Sequence, residues 1–264
     1  MRFAEHMKKA SLVGAFFVSV VWHLQAQALC PAGQRVPQVE VAKVIDGDTL
    51  RLVDGRSVRL IGLNATETAH KARKAEPFSQ AAKARLQALI GENDGRVGLR
   101  AGQQSRDRYG RVLAHLFDVH GQSVEAQMLA EGMGFHVAIN PNVSMSRCLQ
   151  AAEQQARLAR KGLWRQSPVV APDQLRHGGF AVVRAHVERL DANRGGVWLE
   201  LRGSLVLQIP QEIVGAFGDS LKELPGKDVE VRGWVIDRKG RADSRRHARW
   251  MLRITHPTML VPLS

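Results

Sequence analysis

The chain has 264 residues, 44% of them hydrophobic, which gives room for two ordinary domains with buried cores and excludes a disordered polyelectrolyte. Its 38 Lys and Arg outnumber 25 Asp and Glu, and the net charge of +13 makes a polyanion the natural partner, either nucleic acid or an anionic membrane surface. Two cysteines exclude a zinc ribbon or finger, and the ten histidines show no HExxH or comparable ligand spacing.

Residues 1–28 read as a secretory signal: Arg2, Lys8 and Lys9 precede an apolar run over 10–22, and Ala26-Gln27-Ala28 supplies a small-x-small cleavage site. His23 and Gln25 interrupt the run before it reaches the roughly 20 residues of a spanning helix, so no stable membrane span is expected after cleavage. Cleavage after Ala28 predicts a secreted or periplasmic protein that starts at Leu29. It removes three basic and one acidic side chain and leaves a net charge of +11. In an oxidising compartment Cys30 and Cys148 are expected to form one disulfide, with two free thiols as the alternative. Leu29 argues against a lipid anchor on Cys30, because a lipoprotein signal carries a small residue there.

Residues 39–44 alternate as a strand, and the runs 49–53 and 57–63 flank Asp54-Gly55, a strong hairpin signal. A helix is predicted over 77–90, with Pro77 in its first turn, Ala81, Ala82, Ala84 and Ala88 along it and Gly91 as its stop. Strand-like runs at 96–100 and 112–118 surround a polar loop. Residues 124–131 and 146–161 read as helices closed by Gly132 and Gly162. The fold class is therefore mainly β with helices (α+β), a small barrel carrying three helices over 29–165.

Ser167-Pro168, Ala171-Pro172 and His177-Gly178-Gly179 break every period, so residues 166–178 are expected to be a linker. Over 179–264 strands are predicted at 180–190, 197–201, 205–209, 228–236 and 250–254, with a short helix at 211–217. Five strands with a helix between the third and fourth match a second, OB-like Greek-key barrel.

Three clusters in the first domain carry chemistry: Ile45-Asp46-Gly47-Asp48-Thr49, the run from Arg59 through Asn64-Ala65-Thr66-Glu67, and Asp107-Arg108-Tyr109-Gly110-Arg111. Each alone reads as a turn or a solvated loop. Together, and in this order, they resemble the staphylococcal nuclease (thermonuclease) family, as does the ending Lys161-Gly162-Leu163-Trp164. The resemblance runs from about Val39 to Trp164. It implies an OB-type barrel, Ca²⁺ dependence with other divalent cations open, and cleavage of phosphodiesters in DNA and/or RNA to 3′-phosphate ends.

By that pattern Arg59 and Arg111 grip the scissile phosphate through paired, charge-assisted hydrogen bonds, and Glu67 orients or deprotonates the attacking water. Asp48 binds the metal, joined by Asn64 and the backbone carbonyl of Ala65. The sequence departs from the family at Asn64, where an amide replaces a carboxylate, at Ala65 and Thr66, and near Ala138 and Asn140, where well-known members carry tyrosines. Tyr109, the only tyrosine, could pack on a sugar or base.

In the second domain Arg238, Arg241, Arg245 and Arg246, together with Lys239 and Arg249, cluster between the last two predicted strands, where OB folds often bind oligonucleotides. This domain is expected to hold substrate for the first, as a tethered neighbour. Trp198, Trp234 and Trp250 could provide base-stacking faces, but strand tryptophans are more often core, and they are expected there rather than as contacts. The rival reading is a nuclease-like barrel that binds nucleic acid with weak or no catalysis. A lipid- or polysaccharide-binding envelope protein leaves the Arg and Glu pattern unexplained.

Overall fold

The computed structural model describes residues 29–68, 75–239 and 248–263. Strands β1 (Gln38–Val44), β2 (Thr49–Leu52) and β3 (Ser57–Leu60) form an antiparallel meander. Gly55 turns the β2–β3 hairpin at φ +88°, and a Cβ there would touch nothing, so the backbone conformation alone selects glycine. After the two-residue β4 (Leu63–Asn64) come helix α1 (Ser79–Gly91), β5 (Arg96–Arg106), β6 (Val112–Phe117), helix α2 (Val124–Ala130), β7 (Phe135–His136) and helix α3 (Ser146–Leu158). β3 pairs in parallel with β6 and β1 pairs with β5, which closes the order β1-β2-β3-β6-β5 into a five-stranded barrel. Alternating residues such as Leu50, Leu52, Val58 and Leu60 fill it, together with Leu86 of α1 and Leu116 of β6.

Several elements differ in length from the sequence expectation, each for a local reason. α1 starts at Ser79 because Phe78 stands at φ +67°, outside the helical region. α3 stops at Leu158, where Arg160 at φ +49° turns the chain. β5 runs on to Arg106 as an exposed ribbon; Asn142 braces it by exchanging hydrogen bonds with the backbone of Gln104 at 2.9 Å in each direction. Residues 102–106 are polar on both faces, so alternation gave no sign of this extension. Gly132 and Gly162 pack against each other, and a Cβ on either would run into backbone of the other's turn.

Beyond the short 3-10 turn Gly162–Arg165, β8 (Val169–Val170) pairs in parallel with the next strand, so two residues within 166–178 add an edge to the second sheet. That sheet contains β9 (Gly179–Asn193), β10 (Gly196–Leu201), β11 (Leu205–Pro210), β12 (Asp228–Asp237), β13 (Trp250–Arg253) and β14 (Leu260–Pro262). The short helix α4 (Gln211–Val214) and the 3-10 stretch Gly215–Glu223 lie between β11 and β12. β11 pairs in parallel with β13 and β12 closes onto β9, the same connectivity as the first barrel. β8 and β14 are too short for any periodicity to announce them.

The two barrels are docked. Outward-facing Glu230 and Arg232 of β12 meet Glu153 and Arg157 of α3: Arg157 binds Glu230 through both terminal nitrogens at 2.8 and 2.6 Å, and Arg232 donates to both Glu153 oxygens at 2.8 and 2.5 Å. Arg232 also donates to Glu230 at 2.9 Å, and the His136 amide donates to Glu153 at 2.9 Å. Residues i and i+4 on a helix are about 6 Å apart along its axis, and i and i+2 on a strand about 6.6 Å, so the two pairs match in pitch. Phe135, Trp164 and Phe180 form an aromatic seam beside this network, with ring centroids 5.1 to 5.7 Å apart. His136 is buried next to Arg232, and burial followed by that charge pushes its pKa down to about 3.

Cys30 and Cys148 form the disulfide, with Cα atoms 5.7 Å apart, tying the start of the described chain to α3. Closing a loop of 118 residues contributes about 4 to 5 kcal/mol in the chain-entropy treatment. Among the described residues no helix is long and apolar enough to cross a membrane.

Candidate active site

One cavity of about 820 Å³ brings together residues from all three sequence clusters: Asp46, Asp48, Arg59, Asn64, Glu67, Tyr109 and Arg111. Its other walls include Val137, Ile139 and Asn140 from the segment before α3, and Trp234 from β12.

The turn between β1 and β2 sets Asp48. Asp46 accepts the Asp48 amide at 3.0 Å, a local turn bond, and Gly47 lets two other segments approach: a Cβ there would lie 2.6 Å from Ala65 Cβ and 2.7 Å from Ala82 Cβ. The close approach allows the Ala65 amide to donate to Asp48 Oδ2 at 2.8 Å. Arg59 stands opposite Thr49 across the β2–β3 ladder, and its Nη1 lies 2.8 Å from Asp48 Oδ2 and donates to the Leu63 carbonyl at 2.8 Å. Its Nη2 donates to Asn64 Oδ1 at 3.1 Å.

Arg111 is held from the far side of the cleft by Asp107, which accepts the Tyr109 and Arg111 amides at 2.9 and 3.0 Å and Arg111 Nε at 2.7 Å. Gly110 at φ +78° makes this turn possible. Against the upward push of its partial burial, Asp107 is held below the usual carboxylate range by the Arg111 side chain and by the two amides. Arg111 Nη1 and Nη2 have no hydrogen-bond partner among the described residues. Tyr109 is exposed, with the Arg108 and Arg111 guanidiniums 4.8 and 5.5 Å from its ring centroid.

Burial pushes Asp48 up to about 7 against the pull of Arg59, and Asp46 adds repulsion in the same direction. Glu67 is also raised, first by partial burial and then by Asp46, while Arg59 and Arg111 oppose the shift. The Glu67 amide donates to the Glu76 carboxylate at 2.9 Å, and the Glu76 amide to the Glu67 carbonyl at 2.9 Å.

Ala65 is buried behind Asp48, and neither it nor Arg238 lines the cavity. Arg241, Arg245 and Arg246 lie outside the described residues. Trp250 is buried, and so is the Trp198 ring nitrogen, whereas Trp234 departs from the core expectation with 41% of its surface exposed toward the cleft. Among the described residues no three acidic, His or Cys side chains converge at metal-binding spacing. The oxygen donors that do gather are Asp46, Asp48 and the Asn64 amide, a hard set suited to a cation such as Ca²⁺.

Residues 57–166 match the family model described as staphylococcal nuclease homologue. The chain is 27% identical to a thermonuclease of Staphylococcus hyicus over 128 residues, covering 47% of this chain and 74% of the relative. It is 28% identical to a thermonuclease of Staphylococcus intermedius over 127 residues, covering 47% and 74%. It is 26% identical to an uncharacterized endonuclease of Escherichia coli over 140 residues, covering 52% and 83%.

Proposed function

Proceeding from a chain that carries a staphylococcal nuclease homologue domain over residues 57–166, we propose that the protein is an exported, metal-dependent nuclease. It hydrolyses phosphodiester bonds of DNA and/or RNA with little sequence preference. The observation that carries this reading is the convergence of Arg59, Glu67 and Arg111 on one cavity beside buried Asp48.

A phosphodiester anion repels nucleophiles, and charge grows on its equatorial oxygens as water attacks in line. Arg111 offers its terminal nitrogens to those oxygens, while Asp107 fixes the guanidinium plane. Arg59, lining the same cavity, supplies the second cationic contact. Glu67 accepts the proton of the attacking water; its raised pKa makes it a stronger base than an ordinary surface carboxylate. The new bond forms between water oxygen and phosphorus, and the bond to the 5′ oxygen breaks, which leaves a 3′-phosphate.

Asp48, Asn64 and the Ala65 carbonyl would hold Ca²⁺ or another hard divalent cation, and the repulsion between Asp46 and Asp48 gives the site a reason to accept one. Such a cation supplies Lewis-acid polarisation of a phosphate oxygen. The basic connection after β12, with Arg238, Arg241, Arg245 and Arg246, would add phosphate contacts; neutralising three of them is expected to flatten the salt dependence of single-strand binding by about 2 in log–log slope. Export is supported by the signal-like residues 1–28 and by the disulfide.

Asn64 favours a second reading, a barrel that binds nucleic acid and cuts it weakly, because its amide oxygen brings no charge and is already taken by Arg59. Release of acid-soluble nucleotides from single- and double-stranded DNA and RNA, titrated with Ca²⁺, Mg²⁺ and chelator, separates the two. Metal-dependent release supports the nuclease; binding without release supports the alternative.

A further inference from the structure

We propose that Trp234, contributed by the second barrel, is a nucleobase-stacking wall of the cleft in the first, so that the substrate site is built by both barrels. The identity of the ligand rests on the phosphodiester reading above.

Trp234 is 41% exposed, whereas Trp164 and Trp250 are buried at 7% and 3%. This exposed indole lines the same cavity as Arg59, Glu67 and Arg111. Its position is fixed from behind. Trp234 stands opposite Phe180 in the β9–β12 ladder, and the two rings meet nearly edge to face at 5.3 Å and 71°. Phe180 packs on Phe135, and Phe135 on Trp164, so the indole terminates an aromatic seam that crosses the boundary between the barrels.

The same outward stripe of β12 carries Glu230 and Arg232, whose ion pairs with α3 hold the strand against the first domain. The ring therefore does not depend on a tether to reach the cleft. Its chemistry complements that of the arginines lining the same cavity. Guanidiniums address a phosphate, and a fixed flat apolar face addresses a planar ring; a ligand that uses both has an anionic backbone and aromatic substituents. Every base presents a π-face, so the contact strengthens binding without reading sequence.

The test measures binding in excess chelator, so that cleavage plays no part. A short single-stranded oligonucleotide and an abasic strand of the same length and charge are each titrated against the full mature chain by fluorescence anisotropy. Wild type should prefer the base-bearing strand. Trp234→Ala should weaken that strand by roughly tenfold and leave the abasic strand within about twofold of wild type, in line with the usual worth of one base–aromatic stack. Trp234→Phe should recover most of the loss. Trp234→Leu keeps apolar bulk against Phe180, and it should bind like the Ala variant with a wild-type melting temperature, which carries the test should Ala disturb the fold. Equal weakening of both strands, or of neither, overturns the proposal. Equal wild-type affinity for both strands overturns it while leaving the phosphodiester reading intact; failure of wild type to bind either strand also overturns it, and the metal-titrated release assay then decides the phosphodiester reading.

Discussion

The two barrels share strand order, a parallel pairing of their third and fifth strands and a helix after the third, yet they use their polar residues differently. In the first barrel the turn between the first two strands carries Asp46 and Asp48, folded under the Ala65 loop by the close approach at Gly47. In the second, the corresponding turn after β9 holds Arg194 and Gly195, exposed and without a carboxylate. The third strand of the first barrel presents Arg59 to a cleft, whereas the outward positions of β11 are Val206 and Gln208. The second barrel keeps its buried charges, Glu230 and Arg232, on the fourth strand, where they dock it to α3. The common topology thus says nothing about chemistry; what the turns and the outward faces carry does.

The largest expected effect sharpens that contrast. Arg59→Ala, Glu67→Ala and Arg111→Ala should each lower the rate of phosphodiester hydrolysis by about 10²- to 10⁴-fold. Arg202→Ala, which removes an exposed ion pair with Glu188 on the second barrel, should leave the rate essentially unchanged. Equal losses at both places would dissolve the distinction between a chemical and a docking barrel.

Next comes the docking network. Arg232→Met leaves Glu153 buried without its partner and should cost about 3 to 5 kcal/mol in urea denaturation. The double variant Glu153→Met with Arg232→Met should regain most of this, because Arg157 still pairs with Glu230. A single variant as stable as wild type would mean that the barrels are not held by these charges.

A smaller change concerns the metal. Asn64→Asp adds a carboxylate beside Asp48 and should lower the Ca²⁺ titration midpoint by about tenfold, following the dependence of affinity on ligand charge. An unmoved midpoint takes Asn64 out of the ligand set.

A further effect is one of pH. The folded pKa of Asp48, near 7, lies above its unfolded value of about 4. Its favourable contribution is therefore fully present below about pH 4 and is lost as the pH rises toward 7. In chelator, the stability of wild type relative to Asp48→Asn should fall across that window and level off above it. A difference that stays flat from pH 4 to 8 would show that Arg59 compensates the buried charge completely.

Much of this was legible in the sequence for a physical reason. Barrel strands obey a period of two and Asp-Gly turns announce themselves, which exposes the fold; Asp48, Arg59, Glu67, Tyr109 and Arg111 stand out only because the order of their three clusters resembles the staphylococcal nuclease family. The roles of Asp107 and Trp234 were less accessible. Asp107 acts through Arg111, and no spacing rule marks a carboxylate that aims another side chain. In β12 a strand tryptophan reads as core, yet Trp234 shares the outward face of Glu230 and Arg232, because alternation distinguishes the two faces of a strand but not water from a second domain. Residues 166–178 read as a linker, and within them β8 is paired while the barrels on either side share an aromatic seam.

α3 carries three attachments at once: Cys148 holds the start of the described chain, Glu153 and Arg157 hold the second barrel, and Leu149 packs in the first barrel's core. Melting this one helix would release all three. The consequence is thermodynamic cooperativity across the domain boundary, with both barrels absorbing heat in one calorimetric transition instead of two, and little room for a species in which only one of them is unfolded.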